Sequence, residues 1–550
     1  MEIGGPMNAA LLRRLDWRYM LPTPSNGVFD RMIIIGGTAQ LADAARAAGL
    51  ARHVATQLGE PADLVAMLSP ARADPADIVR SLRPGATLYV EIDRRLRGNR
   101  RVSPRRLAAT LQRHGLSVNA QHALRPSFEK PELFVPIDHS GALAWFLSSV
   151  YIASSPAKRI AEAVARRVLR SSGRRIGAIA PFHATIAVVP RATGTDVMNR
   201  VFDSAGLSGA LPSTAMIIHG GHRVAQFGFT GNDAAPLLVV KIAKQRRADV
   251  RTVGEHDIMR RVRASIGEVA RTSVPEPKHV IQLNGVGGVA VEGPATGISL
   301  ARSCARWGRS MDAKIDDLRL ATAWLIDLHR HGLISDARWD ADRRDDVVEQ
   351  PLAEFASRFR IGVEEAQLFE STRAAADALA GTPLPVVWEH GDFTIWNVFR
   401  DGDTLNVLDW ESCERGIPLA DMIRLATHWH EAARGLTTSG ARQRSFADLF
   451  CDDADGRRAT LAARECVSAY ESELGLDPRF RSVVLVMSRV QLAIRRYDHQ
   501  RGDGTLAADG RAGNAALEYL STLVARRHTL FPSPTAPMAP IATKSWQLHV

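Results

Sequence analysis

The sequence predicts an open, mainly parallel α/β domain over residues 1–192, followed by an α+β unit of two lobes over residues 213–530. Three observations predict this. Short apolar runs alternate with helix-like segments through the first 192 residues. Three successive strand-like runs then fall between residues 213 and 243, and long stretches with apolar residues every three or four positions follow residue 298. Among those helical stretches, residues 385–423 carry an ordered set of His, Asp, Asn and Asp between two apolar strands. A chain of 550 residues is also too long for one hydrophobic core.

In the first domain, RMIIIGG (31–37), ADLVAML (62–68) and ATLYVEI (86–92) read as buried strands, and residues 39–49 and 104–115 have helical composition and spacing. PELFVPI (131–137) and HATIAVV (183–189) read as edge strands. Between them lie the apolar stretch GALAWFLSSVYIA (141–153) and the basic helical segment AKRIAEAVARRVLR (157–170). The insertion suits a helix packed on the sheet or one resting on a membrane surface or partner. This element order resembles a class I methyltransferase domain, which implies a Rossmann-like sheet with a glycine turn after the first strand. Only Gly36 and Gly37 stand in that turn, where the family spaces three glycines, and no acidic residue follows ARHVATQ (51–57). A degenerate methyl-donor turn is therefore expected, and binding of S-adenosylmethionine is not. The alternative is a bifunctional chain with an active methyltransferase. Residues 193–212 read as a linker, and the proline-rich residues 531–550 as a flexible tail.

Charge is unevenly distributed. Residues 1–192 hold 27 Lys+Arg against 14 Asp+Glu, whereas the remainder is nearly balanced. The arginine runs at 94–106 and 158–175 suit a solvated surface or peripheral contact with an anionic one. Nucleic acid is not an expected partner, because the runs lack interleaved aromatics and a binding motif. Cys304, Cys413, Cys451 and Cys466 have no metal-ligand spacing and are expected as reduced thiols. No apolar run reaches about 18 residues and the first residues lack a signal-peptide apolar region, so a cytoplasmic location is expected.

The chemistry concentrates in PVVWEHGDFTIWNVFRDGDTLNVLDWESCERGIPLADMI (385–423). His390, Asp392 and Asn397 have the H-x-D-x-x-x-x-N spacing of a kinase catalytic loop, and Asp409 closes an apolar strand. This stretch resembles aminoglycoside phosphotransferases and choline kinases, which use HGD followed by G-x-P-x-x-D, here Gly416, Pro418 and Asp421. The resemblance covers residues 213–530 and implies a protein-kinase-like fold, with 213–293 as the N-lobe and 294–530 as the helical C-lobe. It also implies a phosphotransferase with an alcohol group as acceptor, ATP or GTP as donor, and Mg2+. Phosphoryl transfer needs an oriented acceptor oxygen and neutralised phosphate charge. Asp392 suits the first task as acceptor of the hydroxyl proton. Asn397 and Asp409 offer the hard oxygen ligands that magnesium takes. His390 and Asp421 are expected to be structural.

Upstream, TAMIIHG, RVAQFGF and PLLVVKIAK read as strands, with Lys241 in the third. The resemblance implies that Lys241 holds the nucleotide's α- and β-phosphates and pairs with Glu255 on the following helix, with Asp257 or Glu268 as alternatives. The turn at Gly220 and Gly221 lacks G-x-G-x-x-G. Val291 and Glu292 are expected to border the adenine through backbone atoms. The 12-residue interval from Asp409 to Asp421 lacks the longer peptide-binding segment of protein kinases, which favours a small-molecule hydroxyl acceptor such as a sugar, amino alcohol or aminoglycoside. The acidic groups at 339–369 suit either a border to that acceptor or a solvated helix face. A nucleotide-binding pseudokinase or scaffold is the non-enzymatic alternative.

Overall fold

The computed structural model describes residues 9–69, 73–96, 102–150, 181–190, 194–207, 212–219, 223–231, 233–244, 246–452, 455–502 and 506–532. The basic segment 157–170, the glycine turn at 220–221 and all but two residues of the expected tail lie outside these. The chain divides into two compact units, residues 1–257 with 275–294, and residues 258–274 with 295–550.

Among the described residues, the first unit is built on one sheet of 12 strands. In chain order these are β1 (Phe29–Ile35), β2 (Ala51–Ala55), β3 (Ala62–Met67), β4 (Leu82–Asp93), β5 (Ser117–Pro126), β6 (Pro131–Pro136) and β7 (Phe182–Val188). They are followed by β8 (Ser213–His219), β9 (Arg223–Phe229), β10 (Leu238–Ala243), β11 (Pro277–Leu283) and β12 (Gly287–Glu292). The order across the sheet is β11-β12-β10-β9-β8-β6-β5-β7-β4-β3-β1-β2. Strands β2, β1, β3 and β4 pair in parallel, and the other pairings are antiparallel. Parallel strands are covered on both faces and so read as continuous apolar runs. Leu64, Val65 and Ala66 of β3 are accordingly buried in succession.

The expectation of edge strands needs correcting. Neither β6 nor β7 is an edge strand, because β7 lies between β4 and β5 and β6 lies between β5 and β8. All seven residues of β7 are buried, as suits an interior strand. Strand β5 does not stand out in the sequence, since its polar SVNAQHALRP carries little apolar signal.

The pairing of β6 with β8, with Leu133 opposite Ile217 and Phe134 opposite Met216, makes the sheet continuous from the α/β region into β8–β12. Each strand thereby covers an edge that would otherwise expose unpaired backbone groups. One apolar cluster follows the sheet from Met32 and Tyr89 through Phe134 to Val240 and Val291. The segment expected as a linker contains helix Val197–Ser204, whose Val197, Met198, Val201 and Phe202 are buried. The helix sits so close to β9 that a Cβ on Gly228 would lie 2.7 Å from Met198 Sδ. Segment Asp16–Met20 also joins the two regions, with Trp17 stacked on Tyr89 at 4.3 Å and Lys244 Nζ 2.6 Å from Asp16. The described part of the apolar insertion packs on the sheet, with Trp145 4.6 Å from Phe227.

The second unit is mostly helical. Its long helices are Met311–His331, Val363–Asp377, Ala420–Ala433, Arg458–Glu473 and Phe480–Gly502. Small β elements interrupt them, namely β13 (Ile298–Ser299), β14 (Val387–Glu389), β15 (Val398–Asp401), β16 (Thr404–Val407) and β17 (Glu414–Gly416). Strands β13, β15 and β16 form one sheet, and β14 pairs with β17. No helix among the described residues is long and apolar enough to cross a membrane.

Candidate active site

In the second unit, the loop between β14 and β15 is held from below by buried polar groups. Asp421, in the first turn of helix Ala420–Ala433, is fully buried. One of its oxygens accepts from His390 N at 2.6 Å, and the other from Gly391 N at 3.1 Å and Arg424 Nη1 at 3.2 Å. Two backbone donors and a guanidinium on one carboxylate make a charge-assisted anchor. Gly391 is required by the turn, because its φ is +76° and a Cβ would lie 2.4 Å from Ser412 O.

His390 is also fully buried. Its Nε2 lies 3.0 Å from Leu408 O and therefore donates there, which leaves Nδ1 to accept from Asp392 N at 3.2 Å. Nε2 thus ties the loop to the residue before Asp409, and Nδ1 holds the loop's own turn at Asp392. The ring is packed between Trp410, 4.6 Å away, and Phe393.

Asp392 and Asn397 come together above this anchor. Asn397 Nδ2 donates to Asp392 Oδ2 at 2.8 Å and to Asp392 O at 3.0 Å, leaving the amide oxygen as its acceptor atom. Burial raises the Asp392 carboxyl above its ordinary value; Arg424, His390 and the Asn397 hydrogen bond oppose that rise, and Asp409 adds to it. Asp409 itself has φ 69° and ψ 61° at the start of the short helix Trp410–Ser412. A non-glycine residue in the left-handed region is uncommon and gathers at functional sites.

In the first unit, Lys241 of β10 is buried, with Nζ 2.6 Å from Glu255 and 3.0 Å from Glu292. Glu255 lies on helix Arg246–Ser265 and also meets Arg223 at 2.8 Å. Two acids and two bases thus form one buried network. Val291 is buried in β12, opposite Val240. Glu292 ends that strand with its carboxyl raised by burial, against the pull of Lys241. The expected methyl-donor turn lies between β1 and helix Ala39–Ala47, where Gly36 has φ +82°.

Sequence reasoning missed three groups here. Arg424 lies three residues after Asp421 on the same helix, a spacing that marks ion pairs. Asp317, fully buried, accepts from Ser303 Oγ at 2.5 Å and from Arg309 and Arg400 at 2.7 Å, but nothing local distinguishes it from other helix acids. Glu389, beside the HGD run, is pushed up to about 7 by burial and by Asp421. Among the acidic residues of 339–369, Glu349 pairs with Arg344 at 2.9 Å and Arg373 at 3.0 Å.

The sequence profile of the phosphotransferase enzyme family matches residues 215–459, a span that begins within β8 and takes in β9–β12 and the Asp392 loop. This region belongs to that family. It has the protein-kinase-like phosphotransferase fold and is a phosphotransferase. Solved structures similar to the chain include a glucosamine kinase in complex with glucosamine, ADP and inorganic phosphate, with 19% identity over 54% of this chain and 79% of that one, at a TM-score of 0.32. A macrolide 2'-phosphotransferase type I matches with 14% identity over 60% of this chain and 98% of that one, at a TM-score of 0.38. An ADP-bound aminoglycoside phosphotransferase APH(2'')-Ib matches with 12% identity over 61% and 99%, at a TM-score of 0.37. No curated protein sequence matches significantly.

Proposed function

We propose that this phosphotransferase moves the γ-phosphoryl group of ATP to a hydroxyl of a small molecule of the sugar, amino-alcohol or aminoglycoside class. The observation that carries the reading is the Asp392–Asn397 hydrogen bond of 2.8 Å, on a loop anchored through His390 and Asp421. The bond fixes the plane of the carboxylate while its other oxygen remains to accept the acceptor's hydroxyl proton as oxygen attacks phosphorus. Burial of Asp392 favours that uptake by making its carboxylate more basic. Asp421 and His390 act through position alone.

The amide oxygen of Asn397 and the carboxylate of Asp409 are hard donors that fit magnesium. Bound magnesium would supply neutralisation of the phosphate charge. Lys241, oriented by Glu255, would hold the nucleotide phosphates, with Val291 and Glu292 toward the base. The fit of Lys241 rests on a charge held in place by two carboxylates rather than by solvent.

For the N-terminal region we propose a Rossmann-like, methyltransferase-like ancestry without retained methyl-donor binding. The order β2-β1-β3-β4 reverses at β1, as in doubly wound sheets, which supports the ancestry. Calorimetry with S-adenosylmethionine tests it, and tight binding would overturn the degenerate assignment. The phosphotransferase reading is tested by incubating the chain with ATP, magnesium and a panel of sugars, amino alcohols and aminoglycosides. A mass gain of one phosphoryl group is expected, whereas nucleotide binding without transfer to any acceptor would favour a sensor.

A further inference from the structure

A cavity of about 290 Å³ lies within the first unit, beneath segment Asp16–Met20 and against β5, β6, β8 and β9. Its volume falls near the lower end of small-molecule sites, roughly 300 Å³ upward. Two of its lining side chains, His122 and Gln226, are only 2% and 1% exposed. His122 Nε2 lies 2.9 Å from Thr214 O and donates there, so Nδ1 is left as an acceptor. Gln226 Nε2 donates to Tyr19 O at 2.8 Å, so Oε1 is likewise left as an acceptor. Neither His122 Nδ1 nor Gln226 Oε1 has a hydrogen-bond partner among the described residues. Buried polar atoms are normally satisfied, and two unsatisfied acceptors lining one cavity call for an explanation.

The remaining lining identifies that occupant's chemistry. Asp196 and the exposed Asp138 also border the cavity, and no lysine or arginine among the described residues does, although residues 1–192 carry a strong basic excess. Met20, Pro22 and Ile186 add apolar wall. Two acceptors without donors, the exposed carboxylate of Asp138, that of Asp196, which also accepts from Asn199 at 2.8 and 2.7 Å, and an apolar wall together select a positively charged donor on a short alkyl stem.

We propose that the cavity binds a small primary alkylammonium compound, whose N–H groups donate to His122 Nδ1 and Gln226 Oε1 within the field of Asp138 and Asp196. This site is built from strands of the first unit and uses none of the groups assigned above to phosphoryl transfer. Gln226 stands opposite Val240 on the strand next to Lys241, so an occupant would brace the strand that carries the phosphate-binding lysine.

The test titrates the full chain with n-butylammonium, which has no hydroxyl to accept a phosphoryl group, and with n-butanesulfonate as the anionic control. Saturable binding of the ammonium alone is expected. Asp138→Asn, at an exposed position, should keep the wild-type melting temperature and weaken binding about tenfold. Gln226→Glu, which adds a carboxylate, should tighten it, and Asp392→Asn should leave it unchanged. Absence of saturable ammonium binding, equal binding of the sulfonate, or indifference to both Asp138→Asn and Gln226→Glu would overturn the proposal and leave ordered water as the occupant. Loss of binding in Asp392→Asn would overturn it too, because the amine would then sit in the phosphotransferase site.

Discussion

Asp421→Asn tests how the catalytic loop is held. The substitution keeps side-chain volume, so packing in helix Ala420–Ala433 is unchanged and only the electrostatics differ. Wild-type Asp421 accepts from His390 N, Gly391 N and Arg424 through two oxygens. Asparagine retains one acceptor oxygen and turns an NH2 group toward at least one of those donors. Hydrogen bonds to a charged acceptor contribute about 1.5–3 kcal/mol each, and breaking a buried ion pair by removing one partner costs about 3–5 kcal/mol. Because one oxygen survives, the lower range applies, and we expect a loss of about 3–4 kcal/mol from a stability that for most domains is only about 5–15 kcal/mol. Guanidinium unfolding followed by tryptophan fluorescence measures this, since Trp324, Trp410 and Trp429 are all buried in the second unit. The chain has two units, so the transition that carries these tryptophans is the one to fit. A shift below about 1 kcal/mol would refute the anchoring role.

Gly391→Ala should cost at least about 2 kcal/mol, because a left-handed backbone is strained for alanine and the new Cβ meets the Ser412 carbonyl; the same unfolding assay measures it. Lys241→Met should weaken ATP binding at least about tenfold in calorimetry, since it removes the cation between Glu255 and Glu292. Glu389 gives a pH dependence of definite sign. Its carboxyl is raised by burial from the ordinary 4.5 to about 7, so its contribution to stability is fully present below about 4.5 and is lost as pH rises through about 7. Glu389→Gln should therefore raise the melting temperature at pH 8 and change it little at pH 5; an equal effect at both would contradict the assignment.

The loop residues were legible because their spacing is local. His390, Asp392, Asn397 and Asp409 span 20 residues, and kinase chemistry needs those types in that order. Lys241 was legible for a similar reason, as a charge inside the apolar run LLVVKI. The continuous sheet was not legible. Pairing of β6 with β8 joins residues more than 80 apart, and an edge strand carries no mark of the strand it will meet. Strand β5 was hidden by its polar residues, although His122 and Leu124 are buried on alternate positions. Helix Val197–Ser204 was hidden inside a small, polar stretch that reads as a junction, even though Val197, Met198, Val201 and Phe202 fall on one helical face. Arg424 and Asp317 depend on tertiary partners, so neither carries a local signal beyond the three-residue step from Asp421.

The most direct test is parallel phosphoryl-transfer screening of wild type and Asp392→Asn, with ATP affinity measured on both. A proton-accepting carboxylate held by Asn397 predicts a loss of about 10²–10⁴ in transfer rate with ATP affinity little changed. Transfer by Asp392→Asn within about tenfold of wild type would contradict the account.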